Sequence, residues 1–329
     1  MPRLTSLSFL SVTAILANGV YGWGAMGHEA IGLIAQNYVT AATKTYMQGL
    51  LGSTSTTYLG DVAAWADTYR ETTAGKFSAP YHFIDAEDSP PTACSVDFNR
   101  DCGSAGCVVA AISNYTSRIK DTKLSATERT NAVKFIVHFV GDIHQPLHDE
   151  ALDVGGNTIA VKFDNKTTNL HSVWDTAIPE KIIGGGTLAY AQKWATALTA
   201  SINTGTYASS KSSWLTGMNV SDATATAMVW ARDTNALVCT KVIPDGPPTG
   251  QELDGAYYTS VVPTVEEQIA KAGYRLAAWL NLIATGSEGS KVKRDLSFQW
   301  EPISYLPEGY VNDGSPAKMA RRAFGDMCH

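Results

Sequence analysis

Residues 128–144 read ERTNAVKFIVHFVGDIH, and this stretch sets the expected fold class. Its apolar residues recur at intervals of three and four, which is the spacing of an amphipathic helix. His138 and Asp142 lie four positions apart, so a helix would place both side chains on one face, within reach of a single ion. The stretch therefore predicts a helix that presents two metal ligands.

Helical periodicity continues through much of the chain, and Pro146, Pro179 and the glycines at 184–186 interrupt it. Residues 157–163, NTIAVKF, alternate instead and follow two glycines, which predicts a short hairpin strand. Residues 86–107 read as an irregular loop. We predict an all-α fold: a single mostly helical domain with a small β-hairpin. The other helical segments are 28–39, 188–202, 224–239 and 265–284.

The N-terminus has the pattern of a secretory signal. Residues 4–20 are small and apolar and follow Arg3, and Val20 and Gly22 stand at positions −3 and −1 of a cut before Trp23. We predict that residues 1–22 are removed and that the mature protein is secreted and extracellular. The alternative is a buried N-terminal helix. No second stretch is long and apolar enough to cross a bilayer, so no membrane partner is expected.

Cysteines and glycosylation sequons agree with secretion. Cys94, Cys102, Cys107 and Cys239 form an even set with three possible pairings, and Cys328 is left over. N-glycosylation sequons begin at Asn114, Asn165 and Asn219.

The C-terminal segment 287–329 changes character, with many turn-forming residues and dibasic pairs at 293–294 and 321–322. It is either processed or an attached, ordered extension. We therefore divide the chain into a signal peptide (1–22), a main domain (23–286) and a C-terminal extension (287–329).

Histidines and aspartates recur at metal-ligand spacings. Asp67 lies in AAWADTYR and His82 in PYHFIDAED, His148 follows Pro146, and His171 and Asp175 repeat the H-x-x-x-D pattern. Imidazole and carboxylate suit zinc. Of the seven histidines, His144 and His329 fall outside the pattern, and we assign His144 to the surroundings of the metal ligands or to solvent.

Several motifs together resemble the fungal secreted, zinc-dependent, single-strand-specific nucleases, which share their fold with bacterial zinc phospholipase C. The resemblance runs from Trp23 to about Thr285. It is carried by WGAMGHEAIGLIAQ, WADTYR, YHFIDAEDSPP, RDCGSAGC, HFVGDIHQPLHDE, GGN, NLHSVWD and GYRLAAWL.

The resemblance implies a cleft with three zinc ions. One ion would take Asp67, His82, His138 and Asp142. A second would take the α-amine and carbonyl of Trp23 with His28 and would share Asp142, and the third would take His148, His171 and Asp175. The resemblance also implies the disulfides Cys94–Cys239 and Cys102–Cys107.

The resemblance further implies hydrolysis of single-stranded DNA, RNA and 3′-nucleotides by zinc-activated hydroxide, giving 5′-phosphates. Asp67, Arg70 and Asn157 would act in catalysis, and Phe83, Val154 and Asp85 would hold a base. Some relatives have two tyrosines at a second base site, where this chain has Lys166 and Ala177.

The net charge of −6 argues against a nucleic-acid partner, because such proteins usually carry a basic face. Bound zinc ions resolve this conflict, since ion charges dominate the local field. A phospholipase C of the same fold and a non-catalytic zinc-binding protein remain the alternatives. We expect a monomer.

Overall fold

A computed structural model describes residues 22–289. The predicted signal peptide before Gly22 lies outside the described residues, as does the tail from Ser290, with both dibasic pairs and Cys328. In chain order the helices are α1 (Ala25–Gln36), α2 (Ala41–Leu51), α3 (Gly60–Ala63), α4 (Trp65–Arg70), α5 (Phe98–Asp101), α6 (Val108–Lys120), α7 (Ala126–Asp142), α8 (Leu170–Ser172), α9 (Ile178–Ile183), α10 (Leu188–Asn203), α11 (Ala223–Leu237) and α12 (Ala256–Thr285).

Helices α1, α7 and α12 form the centre of the domain. Helix α1 packs on α10 and α12, and α7 packs on α6 and α12. The arrangement confirms the prediction of a single, mostly helical domain. Within residues 22–289, none of the helices has the length and apolarity that a membrane span requires.

Helix α7 has one polar end and one buried end. At its start the Ser125 hydroxyl accepts from the Glu128 amide at 3.2 Å, and the Glu128 carboxylate accepts from the Ser125 amide at 3.1 Å. This capping box stabilises the helix by about 1 kcal/mol. From Phe135 onward every residue of α7 is buried. The capped end of α7 is therefore exposed to water, whereas the other end places His138 and Asp142 in the core.

The small sheet is the hairpin that the alternating pattern predicts. Strand β1 (Ala160–Phe163) pairs antiparallel with β2 (Lys166–Asn169), with Ala160 opposite Asn169. Asp164 and Asn165 connect the strands with φ values of 49° and 61°. Two successive residues with positive φ make a tight turn that follows the twist of the strands, and Asp and Asn tolerate it best after glycine.

Three features differ from the helices expected from sequence. Helices α2 and α6 were not predicted, and Pro179 lies in the first turn of α9, where a missing N–H costs nothing. Helix α12 begins at Ala256 and continues through Pro263, whereas the periodicity began at residue 265. The free energy gained by burying Val261 and Val262, which directly precede the proline, exceeds the cost of the backbone hydrogen bond that Pro263 removes.

Two disulfides are present. Cys94 pairs with Cys239 and Cys102 with Cys107, which are the pairs that the resemblance implies. The first joins the loop at 86–107 to the π-helical turn Val238–Val242, which directly follows α11. The second closes a small ring within that loop.

Candidate metal centre

The buried end of α7 carries the central carboxylate of the site. One oxygen of Asp142, Oδ1, lies 3.2 Å from His28 Nε2. The other, Oδ2, lies 3.0 Å from His82 Nδ1 and 3.2 Å from His138 Nε2. Each carboxylate oxygen thus faces a different set of imidazoles. This is the arrangement that a carboxylate bridging two cations requires.

His28 enters this cluster from the first turn of α1. Its ring stacks on His138 with centroids 3.8 Å apart and an interplanar angle of 15°. A Cβ atom at Gly141 would lie 2.7 Å from Nδ1 of His28, so only glycine leaves room for the ring. Helices α1 and α7 can therefore approach closely enough for the two imidazoles to share a carboxylate.

Backbone carbonyls fix the orientation of three histidine rings. Nδ1 of His138 donates to the Ala63 carbonyl at 2.7 Å. In the same way His148 donates to the His82 carbonyl and His171 to the Gly155 carbonyl, both at 2.6 Å. Because a carbonyl only accepts, Nδ1 carries the proton and Nε2 carries the lone pair. The three Nε2 atoms are thereby prepared as metal ligands.

A second cluster lies where the chain continues beyond α7. The Gln145 side chain caps the turn Pro146–Asp149, which holds His148, and its amide nitrogen also donates to Asp175 Oδ1. Nε2 of His171 lies 3.1 Å from both Asp175 Oδ2 and His148 Nε2. His171 and Asp175 come from α8 and the π-helical turn that follows it.

The donor atoms fit divalent cations. Nε2 of His148 lies 3.1 Å from Nε2 of His171, and Nε2 of His138 lies 3.1 Å from Nδ1 of His82. Among atoms without a hydrogen-bond partner are buried oxygens of Asp67 and Asp142. Both His–Asp clusters contain sets whose ligand atoms lie within 4.8 Å of one another. A cation bound between such atoms would satisfy them together.

The charges of the first cluster point the same way. Burial opposes a charge on His138, but Asp142 and Asp67 raise the pKa of that imidazole to about 10. Burial also opposes ionisation of Asp142, yet His138 holds the pKa of that carboxyl well below its ordinary value. Burial lowers the pKa of both His28 and His82. In the metal-free cluster, then, His138 carries a second proton on Nε2, and a metal ion that binds this nitrogen would replace that proton.

The second cluster has a different balance. Burial lowers the pKa of His148 to about 3, so this imidazole is neutral and available as a ligand. Burial raises the pKa of Asp175 to about 6, against the opposing effect of His171.

The chain enters the first cluster at Gly22 and Trp23. A Cβ atom at Gly22 would lie 1.7 Å from Asp142 Oδ1 and 2.7 Å from His28 Nε2. The backbone nitrogen of Trp23 is bonded to the carbonyl carbon of Gly22 and so lies beside the same two ligands. The Trp23 side chain is buried, which anchors this part of the backbone beside the cluster.

Helix α4 supplies a carboxylate and a guanidinium. Asp67 Oδ1 lies 3.5 Å from His138 Nε2 and 3.6 Å from His82 Nδ1, which adds Asp67 to the first cluster. Arg70, one turn later, is buried with Nη2 3.6 Å from the same oxygen. The cluster thus has a cationic group at its edge.

The predicted base-binding residues lie beside the clusters on two loops. Phe83 is half-buried and directly follows His82, and Asp85 is exposed. Val154 is 64% exposed with φ of 59°, and the Asn157 amide donates to the Val154 carbonyl at 2.8 Å. Each loop contacts a histidine of the second cluster, because the Ile84 amide donates to the His148 carbonyl and the Gly155 carbonyl accepts from His171. The structure therefore brings the predicted base contacts to the rim of the clusters.

Lys166 and Ala177 line one pocket between the hairpin and α9. Neither side chain offers an aromatic face on which a base could stack. A further group, Asp88, Cys94 and Glu150, has ligand spacing, but Cys94 is in a disulfide and its sulfur is not a thiolate.

Some positioning groups could not be seen in the sequence. The carbonyls of Ala63, His82 and Gly155 orient three histidines, and a carbonyl has no residue type to detect. Gln145 was also missed as the partner of Asp175, although it lies between Asp142 and His148.

Comparison with known proteins gives consistent matches. The family profile described as S1/P1 Nuclease matches residues 23–285. Nuclease S1 of Aspergillus oryzae is 52% identical over 287 residues, covering 87% of this chain and 99% of the relative. Nuclease P1 of Penicillium citrinum is 52% identical over 271 residues, covering 82% and 100%. Endonuclease 3 of Arabidopsis thaliana is 32% identical over 287 residues, covering 85% and 95%.

Proposed function

This chain belongs to the S1/P1 nuclease family and is a nuclease, and on that premise we propose that it cleaves phosphodiester bonds of single-stranded DNA and RNA with three zinc ions. The observation that carries the proposal is Asp142, whose two oxygens face different imidazoles. Asp142 would therefore hold two ions at once, one through each carboxylate oxygen, together with the imidazoles that face that oxygen.

The ligand assignment follows the two clusters. Asp67, His82, His138 and Asp142 would hold one ion. His28, the other oxygen of Asp142 and the α-amine and carbonyl of Trp23 would hold the second. His148, His171 and Asp175 would hold the third. Bound zinc lowers the pKa of a coordinated water and neutralises phosphate oxygens, which is the chemistry that phosphodiester hydrolysis needs.

The protein's own groups position the substrate. Arg70 would place its guanidinium against the phosphate, where a fork of N–H donors stabilises the charge that develops in the transition state. Asn157 would donate from its amide to a phosphate oxygen. Asp67 Oδ1 lies 3.6 Å from Arg70 Nη2, so as a metal ligand Asp67 would link metal binding to phosphate binding.

Base binding explains the preference for single strands. Phe83 would stack on one face of a base and Val154 would pack on the other, while Asp85 accepts from the base edge. Stacking accepts any base but requires one that is already unstacked. Cleavage would leave 5′-phosphates, and 3′-nucleotides would be substrates because a single base and phosphate fill the site.

We also propose that the protein is secreted as a glycosylated monomer. The two disulfides and the exposed positions of Asn114, Asn165 and Asn219 support an extracellular location. Removal of residues 1–22 and processing within 287–329 are part of the same proposal.

Metal analysis combined with four substrates tests the function. We expect three zinc ions per chain and hydrolysis of single-stranded DNA, RNA and 3′-nucleotides. Hydrolysis of phosphatidylcholine instead would identify a phospholipase C. Zinc without any hydrolysis would identify a storage protein, and one zinc or fewer in active protein would overturn the trinuclear site.

A further inference from the structure

An exposed aromatic side chain near the metal centre has no part in the function described so far. Among residues 22–289, the large apolar side chains that are exposed are Phe77, Val154 and Val229, and Phe77 is 51% exposed. Val154 already has a proposed role against a base. Isolated exposed apolar residues are common, so Phe77 is informative only through its surroundings.

Phe77 belongs to a group of aromatic residues that we call the aromatic ledge: Trp65, Tyr69, Phe77 and Tyr81. The Phe77 ring meets Tyr69 at 6.5 Å and 84° and Tyr81 at 6.0 Å and 71°. Both contacts are edge-to-face, so neither is a parallel stack. Trp65 and Tyr69, by contrast, stack on each other at 4.3 Å. Phe77 is thus held in place by its neighbours and still offers aromatic surface to solvent.

The aromatic ledge is built on the same two segments as the metal centre. Tyr69 precedes Arg70 in α4, and Phe77 lies five residues before His82 in the 3-10 helix Lys76–His82. At about 2 Å per residue, five residues span about 10 Å. That distance equals about three stacked nucleotides at 3.4 Å per step. A strand bound at the metal ions can therefore reach the aromatic ledge within a few nucleotides.

The local charge suits a phosphate backbone, unlike the surface as a whole. Lys76 is exposed beside Phe77, and Lys134 Nζ lies 4.8 Å from the centroid of the Trp65 ring. The neighbouring carboxylate, Glu71, lies 3.7 Å from Arg70 Nε. Two lysines flanking an aromatic surface combine charge and stacking, which is how proteins follow a single strand without reading its sequence.

We propose that the aromatic ledge is an outer nucleotide subsite, at which a base of single-stranded nucleic acid stacks on Phe77 while a nucleotide about three positions away along the strand is held at the metal centre. This inference rests on the proposed function and adds a second point of contact to it. It assigns to the ledge the binding of chains longer than a dinucleotide.

The test compares substrate lengths in Phe77→Ala, with Phe77→Trp as the conservative variant and Val229→Ala as a matched control. Val229 is another exposed apolar residue, on a helix that holds none of the proposed ligands. For a single-stranded DNA octamer we expect KM to rise about fivefold or more in Phe77→Ala, the lower end of the effect of one stacked base. The kcat for the octamer, and both constants for a dinucleotide and a 3′-nucleotide, should stay unchanged.

A modified substrate gives an independent reading. In an octamer whose six outer nucleotides are abasic, the base that would stack on Phe77 is missing. The wild-type enzyme and Phe77→Trp should lose affinity for it, whereas Phe77→Ala should bind both octamers equally weakly. Val229→Ala should behave as the wild type throughout.

Two results would overturn the subsite: an equal effect of Phe77→Ala on dinucleotide and octamer, or no effect on either. If the wild type cleaves no single-stranded DNA, the proposed function fails instead. Direct titration of the octamer then still decides, because only a stacking subsite makes its binding depend on Phe77.

Discussion

Two fully buried histidines, one in the last turns of α7 and one just beyond its C-terminal end, have opposite surroundings, and the contrast shows what distinguishes a metal site. His138 faces the carboxylates of Asp67 and Asp142, which raise its pKa to about 10 despite burial. His144, six residues later, faces Arg275, and burial together with that guanidinium holds its pKa well below the ordinary value.

Every polar atom of the His144 imidazole has a partner. Nδ1 donates to the Val140 carbonyl at 2.7 Å, and Nε2 accepts from Arg275 Nη1 at 2.9 Å. Arg275 in turn lies 3.1 Å from Asp233 Oδ2, so its charge is balanced. We call this group of His144, Arg275 and Asp233 the arginine side, and the metal-ligand cluster around His138 the ligand side. On the ligand side, buried carboxylate oxygens of Asp67 and Asp142 have no hydrogen-bond donor. A cation is needed where acceptors exceed donors, and burial of a histidine alone does not indicate one.

The largest effect is expected from Asp142→Asn. An amide cannot bridge two cations with two anionic oxygens, so turnover should be almost eliminated and zinc content should fall. Asp233→Asn is the matched control from the arginine side, and it should keep zinc and activity per folded molecule. Measured kcat and metal content decide, and similar small losses in both variants would remove the distinction between the two sides.

Helix α7 shows which parts of this site the sequence predicts and which it does not. The spacing of His138 and Asp142 shows that both lie on one helix face, and the motifs extend the set to the other ligands. The sequence could not show whether the His144 side chain is buried or exposed. Its partner Arg275 is 131 residues away, and the contact between them depends on how α12 packs. Likewise, the helical periodicity predicted a helix over 265–284, whereas α12 begins at Ala256 and continues through Pro263, because tertiary packing tolerates the proline.

The next largest effect is expected from retention of Gly22 before Trp23. A form that retains Gly22 converts the proposed α-amine ligand into an amide nitrogen and keeps additional chain against Asp142 and His28. We expect it to fold with both disulfides, to bind one zinc fewer and to lose most of its activity. Mass spectrometry must verify the retained glycine, and full activity of that form would refute the role of Trp23.

On the arginine side, Arg275→Met should affect stability rather than chemistry. It leaves His144 Nε2 and the Trp214 carbonyl without their buried donor. Since each unsatisfied buried group costs about 1–3 kcal/mol, we expect the free energy of unfolding to fall by about 3 kcal/mol. Urea denaturation measures this. A loss of zinc at unchanged stability would mean that the two sides of α7 are not separate.

The smallest effect is expected at the rim. Phe83→Ala should weaken substrate binding by about 1–3 kcal/mol, the contribution of one stacked base, with little change in kcat or zinc content. The KM for a 3′-nucleotide is the appropriate measurement. If kcat fell as far as in Asp142→Asn, Phe83 would be acting on the ligands rather than on the base.

The disulfide Cys94–Cys239 has a consequence for recovery after denaturation. It spans 145 residues, and His138, Asp142, His148, His171 and Asp175 all lie inside the ring that it closes. In chain-entropy terms such a ring disfavours the unfolded state by about 5 kcal/mol. A heated, zinc-free chain therefore begins refolding with most of its ligands already confined together. Heat followed by zinc should restore activity, whereas heat with a reducing agent should abolish it permanently.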